Sequence, residues 1–268
     1  MNAEQTVAGA PHPALFLYRL ALLALAVATL SVRAETPSSP SAVQPAPLAQ
    51  ADVHALAHSR WQASLDAFAV GDRQQHPGDD GVLFVGSSTI RMWSCLQQDF
   101  RQVPVIINRG FGGSTMRDCN SLVRELVIQY KPRQVMVYAG DNDLAEGRTP
   151  GEVLGSLQNF VRKVHGALPG TRISYISIKP SPARFALLPQ IRQANALIAG
   201  YVGTVPGMRY IDIFNPMLNA ESLPRPELFG PDRLHLSDAG YRLWQSVITA
   251  DLALAPALQA ARPPQQQP

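Results

Sequence analysis

Four polar turns in this 268-residue chain carry the residue types that acyl transfer requires. The first, Gly86-Ser87-Ser88, directly follows the apolar run Val82-Leu83-Phe84-Val85. The second, Asn108-Arg109-Gly110-Phe111-Gly112-Gly113-Ser114, follows Val105-Ile106-Ile107, and the third, Gly140-Asp141-Asn142-Asp143, follows Val135-Met136-Val137-Tyr138-Ala139. The fourth is Asp232-Arg233-Leu234-His235. A serine hydroxyl needs a base, and His235 can accept its proton near neutral pH. The imidazole needs an orienting carboxylate, which Asp232 offers from three residues earlier. A tetrahedral oxyanion needs converging donors, which a glycine-rich turn and the Asn142 amide can provide. Taken singly, each turn also has a plainer reading. Gly-Ser-Ser-Thr over 86–89 could cradle a phosphate at a helix N-terminus. Asn142 could simply form a turn, and Gly113 could serve a backbone that needs positive φ.

The elements that must position these turns follow from the apolar runs. The runs are short, rich in β-branched residues and bounded by glycine, as buried parallel strands are. Strands are expected over 82–86, 105–109, 134–140, 172–178 and 208–213. Helices are expected over 89–98, 116–129, 151–166, 183–203 and 237–253, after a first helix from Ala51 to about Val70. Strict alternation predicts right-handed crossovers and a three-layer αβα sandwich around a five-stranded parallel sheet, flavodoxin-like in form. The polar turns then share the carboxyl edge of the sheet, where open α/β folds bind ligands. Lys179-Pro180-Ser181-Pro182-Ala183-Arg184 follows the fourth strand at that edge and, with the proline-rich stretch 214–231, is expected to wall the site. Arg184 either meets a polar or anionic group of a substrate or is a surface arginine near a helix start. Asp212 is expected to brace the final loop, and Ser237 to cap the last helix.

The order of these turns resembles the four sequence blocks of the SGNH (GDSL-like) hydrolases, over about residues 80–250. That resemblance implies Ser88 as nucleophile, His235 as base and Asp232 as its orienter. It implies an oxyanion hole built from the backbone N–H groups of Ser88 and Gly113 and the side chain of Asn142. Chemistry without a cofactor is implied, through an acyl-Ser88 intermediate. The family's usual Asp before the nucleophile is Ser87 here, in the manner of a bacterial Gly-Ser-Ser branch; that Asp is not a triad member, so the chemistry survives, and Ser87 is the rival nucleophile. The resemblance leaves open a lysophospholipase or lipid esterase, a carbohydrate O-acyltransferase, and a non-catalytic polysaccharide-binding module. A phosphate-binding module is the reading from another class. Short polar loops, 7% aromatic residues and no long apolar lid favour short acyl esters, acetyl groups on carbohydrate foremost.

Composition bounds the rest. A chain that is 46% hydrophobic suffices for one sizeable core. The run Leu20-Ala21-Leu22-Leu23-Ala24-Leu25-Ala26-Val27-Ala28 is too short for a comfortable membrane span and leads to Val32-Arg33-Ala34, small residues placed as at a processing site. Residues 1–34 are therefore read as a signal peptide and the protein as periplasmic or secreted, the alternative being an N-terminal membrane anchor. Residues 35–50, rich in Pro, Ser and Ala, are expected as a linker, 51–255 as the hydrolase domain and 256–268 as a flexible tail. The formal charge is +3; the first 34 residues hold Arg19, Arg33 and Glu4, so the remainder carries +2. No basic run suggests nucleic acid, and no stable membrane insertion is expected after processing. The expected partner is a small-molecule or carbohydrate ester. No glycine-rich nucleotide fingerprint follows a strand, and neither the cysteines nor the His54/His58 pair has metal-ligand spacing. Cys95 and Cys119 could pair in an oxidising compartment or remain free.

Overall fold

The computed structural model describes residues 50–260, with side chains over 52–252. The expected leader (1–34), residues 35–49 of the expected linker and residues 261–268 of the expected tail lie outside the described residues. Five strands form one all-parallel sheet: β1 (Val82–Gly86), β2 (Ile106–Gly110), β3 (Gln134–Tyr138), β4 (Arg172–Ile176) and β5 (Met208–Ile211), in the order β2-β1-β3-β4-β5. Register is direct: Leu83 stands beside Ile107 on one side and Val135 on the other.

Both faces of the sheet are buried, which explains the unbroken apolar runs. Leu83 and Val85 of β1 point into one core, whereas Val82 and Phe84 point into the other. The first core is covered by α4 (Met116–Ser121), α5 (Val123–Leu126), α7 (Pro150–Ala167) and α8 (Leu188–Val202). The second is covered by α2 (Ser88–Arg91), α3 (Leu96–Asp99) and α9 (Asp238–Ala260). The expected three-layer αβα sandwich is thus the fold observed. In α7, Val153, Leu157, Phe160, Val161 and Val164 form the buried stripe, and Thr149 and Glu152 cap the helix reciprocally ahead of Pro150.

α1 (Gln50–Gln74) lies over the first core, with Ala57, Trp61, Leu65 and Phe68 against it. Polar contacts fix its place. Asp72 pairs with the Arg109 guanidinium and accepts a 2.6 Å hydrogen bond from Tyr130 Oη. Burial and then that bond push the Tyr130 phenol up to about 12, so it remains a donor. Arg109 stacks over the rings of Tyr130 and Phe68.

Three expected helices are interrupted. The one over 89–98 becomes α2 and α3, because Trp93 turns inward between them to meet Phe84, Phe100 and Trp244. Its indole N–H donates to Asp99 Oδ2 at 2.6 Å. The one over 116–129 breaks at Leu122, wholly buried at φ −105° and ψ 21°, and ends in a 3-10 turn, Ile128–Tyr130. The one over 183–203 opens as a 3-10 segment, Pro182–Leu187, before α8. A short helix not anticipated, α6 (Asp141–Ala145), follows β3. α1 outruns its expected end by reaching Gln74, and α9 continues to Ala260, past the expected domain limit at 255. The cysteines are unbridged: Cys95 is exposed beside α3, whereas Cys119 is buried in α4 across the sheet. The intervening sheet keeps them apart, which decides against the bridge.

Candidate active site

β1 delivers its serines to the sheet edge through a glycine that admits no substitute. Gly86 sits at φ +145°, and a β-carbon there would lie 1.8 Å from the Tyr138 carbonyl oxygen. That carbonyl accepts the Ser87 N–H at 3.1 Å, locking the turn to β3. Ser87 is 1% exposed, and its hydroxyl has no hydrogen-bond partner. Ser88 opens α2, and its Oγ lies 2.9 Å from His235 Nε2. The structure therefore brings Ser88 rather than Ser87 to the expected base.

The turn that carries His235 is closed on itself. Gly230 and His235 join through a 2.8 Å backbone bond, and Phe229 and Leu236 form an antiparallel bridge. Arg233 adopts positive φ (58°) at its apex. Asp232 Oδ1 accepts the backbone N–H groups of Leu234 and His235, each at 3.0 Å. Its Oδ2 lies 2.5 Å from His235 Nδ1. The His235 side chain and these backbone groups hold the Asp232 carboxyl down at about 2. An ionised carboxylate only accepts, so Nδ1 carries the proton and Nε2 is left to accept from Ser88 O–H.

The expected oxyanion donors stand on two turns that are tied together. Gly113 has φ +80°, and a β-carbon there would lie 3.9 Å from Trp61 Cη2, so α1 reaches this turn. Asn142 Nδ2 donates to the Ser114 carbonyl at 2.9 Å, leaving its second N–H. Beside it, Asp143 Oδ2 accepts the Met116 N–H at 2.7 Å at the start of α4. Burial, the largest influence, pushes the Asp143 carboxyl up to about 6. Arg184, expected near a substrate, instead commits its guanidinium inward. Nη2 donates to Asn142 Oδ1 at 2.7 Å, and Nη1 lies 3.0 Å from Asp141 Oδ2.

Behind the surface lies a charged cluster whose pairing was not anticipated, although the sequence placed Lys179 in the wall of the site. Lys179, 2% exposed, donates from Nζ to Asp141 Oδ2 at 2.8 Å, to Tyr138 Oη at 2.9 Å and to Thr89 Oγ1 at 3.3 Å. Burial pushes the Asp141 carboxyl up, but Lys179 and then Arg184 outweigh it and hold the group below the usual carboxylate range. The available signal was position: Lys179 follows β4 at the same edge as the other turns. The expected bracing by Asp212 is present, since its carboxylate accepts from the Asn215 backbone (3.1 Å) and side chain (2.6 Å). Ser237 accepts the Gly240 N–H at 3.3 Å at the start of α9. Among the described residues no group of His, Cys, Asp and Glu has the arrangement of a metal site. A cleft of about 760 Å³ lies between α1, α4 and α7, and neither Ser88 nor His235 lines it.

A parallel αβα sheet with a serine, histidine and aspartate linked at its carboxyl edge defines the class of α/β serine hydrolases. The chain belongs to the GDSL-like lipase/acylhydrolase family, whose sequence model matches residues 50–243, and it is accordingly a serine ester hydrolase. Among solved structures it is similar to a GDSL-like lipase from Bacteroides thetaiotaomicron, at 20% identity and TM-score 0.63, over 71% of this chain and 98% of that one. It is similar also to the Clostridium thermocellum family 3 carbohydrate esterase, at 18% identity and TM-score 0.53, over 65% and 96%. A third, an acetyl-xylooligosaccharide esterase from Geobacillus, shares 18% identity with TM-score 0.52, over 65% and 94%. A search of curated protein sequences returns no match.

Proposed function

We propose that this protein is an exported esterase that removes short acyl groups, acetyl foremost, from carbohydrate, through an acyl-Ser88 intermediate. The observation that carries the reading is the linked geometry Asp232–His235–Ser88, at 2.5 Å and 2.9 Å. His235 Nε2 takes the Ser88 proton as Oγ attacks the ester carbonyl, and Asp232 stabilises the imidazolium. The oxyanion is received by the Ser88 and Gly113 N–H groups and the free N–H of Asn142. The imidazolium then protonates the leaving alcohol, and a water activated by His235 hydrolyses the acyl-serine.

The short polar turns that carry Ser88, Gly113 and Asn142 support a small acyl group, since a longer chain left in water forfeits about 0.8 kcal/mol per CH₂. The carbohydrate esterases among the similar structures support a sugar alcohol, and the apolar run over residues 20–28 supports export. The test is kcat/KM for p-nitrophenyl esters from C2 to C12, with acetate release from acetylated glycans alongside. A maximum at C2 to C4 with acetate release is expected. A maximum at C8 or beyond would replace this reading with a lipid esterase.

A further inference from the structure

Asn142 can serve an oxyanion only if its amide, rather than its carbonyl, faces the reacting centre, and the two ends of this group are hard to tell apart by shape. Its neighbours decide. The Ser114 carbonyl only accepts, and it takes a 2.9 Å bond from Nδ2. The Arg184 guanidinium only donates, and it gives a 2.7 Å bond to Oδ1. The flipped amide would face donor with donor and acceptor with acceptor.

We infer that Arg184 is a positioning residue of the oxyanion hole, acting through Asn142, with the buried Asp141–Lys179 pair as its anchor. Arg184 itself is held by Asp141, 3.0 Å from Nη1. Asp141 in turn is held by Lys179, which also bonds Thr89, the residue after Ser88. One buried cation thus joins the turn that bears the nucleophile to the turn that bears the oxyanion donor. Arg184 is further located by the turn of the base, because the Ala183 N–H donates to the Arg233 carbonyl at 3.0 Å. Its side chain is only 17% exposed, with Nη2 bonded to Asn142 and Nη1 buried within 3.0 Å of the Asp141 carboxylate. The role is therefore distinct from contact with a substrate.

This inference rests on the proposed esterase reading, and the experiment separates the two. Arg184→Leu is measured alone and in an Asn142→Ala background on p-nitrophenyl acetate. Alone it should lower kcat about ten- to a hundredfold while KM stays within about twofold, because a misplaced donor weakens transition-state binding. In the Asn142→Ala background it should lower kcat less than about twofold. Arg184→Lys, which keeps Asp141 paired but lacks the planar fork, should melt like the parent and lose kcat in the same sense; it carries the test if Arg184→Leu does not fold. A several-fold rise in KM at unchanged kcat, or an undiminished loss in the Asn142→Ala background, would overturn the inference while leaving the esterase intact. A parent protein without activity on any ester would instead overturn the function on which it rests.

Discussion

At the scale of single residues, the site divides two adjacent serines by what each can reach. Ser88 meets His235, whereas Ser87 is sealed beneath the turn with its N–H spent on Tyr138. Ser88→Ala should lower esterase kcat by roughly 10⁴ to 10⁶, and Ser87→Ala should leave it within about tenfold; initial rates with p-nitrophenyl acetate decide, and the reverse pattern would reassign the nucleophile. His235→Ala should be nearly as damaging as loss of Ser88, and Asp232→Asn less so. The Asp232 carboxyl, held at about 2, stays ionised through the working range. A histidine base predicts a kcat/KM profile that falls on the acid side. A rate that is flat from pH 4 to 9 would exclude a histidine base.

At the scale of elements, α1 is held by a polar lock as much as by apolar contact. Removing Asp72 leaves the Arg109 guanidinium, 9% exposed, without its carboxylate. Asp72→Ala should therefore destabilise by about 3–5 kcal/mol, and Tyr130→Phe by about 1 kcal/mol, as read from urea unfolding. Equal losses would mean that Arg109 finds another partner. The strands were legible because both faces of the sheet are buried, so 82–86 and its neighbours read as continuous apolar runs. The break after α2 was not, because it answers to Trp93 packing on Phe84 and Trp244, contacts remote in sequence. α6 escaped notice because Asp141-Asn142-Asp143 reads as a turn. The contacts joining Ser88, His235 and Asp232 were legible from residue types and order. Lys179 was not, since its carboxylate partner lies 38 positions away and a lone lysine after a strand reads as solvated.

At the scale of the whole molecule, Asp143 links stability to pH in an unusual direction for an acidic residue. Its folded value of about 6 lies above the 3.8 of a free aspartate. The native state thus holds a proton between these values that the unfolded chain has released. The stability this group contributes is full below about pH 4 and is lost as pH rises through about 6. Relative to Asp143→Asn, the parent should gain about 1–2 kcal/mol of stability between pH 7 and pH 5. Paired urea titrations at the two pH values measure it, and a relative loss on acidification would show that the buried carboxyl is not raised.

Ser88 and His235 meet across 147 positions of chain. The entropy of closing so long a loop falls due before either residue has anything to gain from the other. Their encounter is therefore supported by the sheet and by α9, whose Tyr241 hydroxyl donates to the Thr89 carbonyl at 2.9 Å, one residue beyond Ser88. Turnover is thus a late property of the maturing chain. A nascent or partly opened molecule can hold a native-like core and still be silent, so activity reports completed assembly more stringently than helix content does.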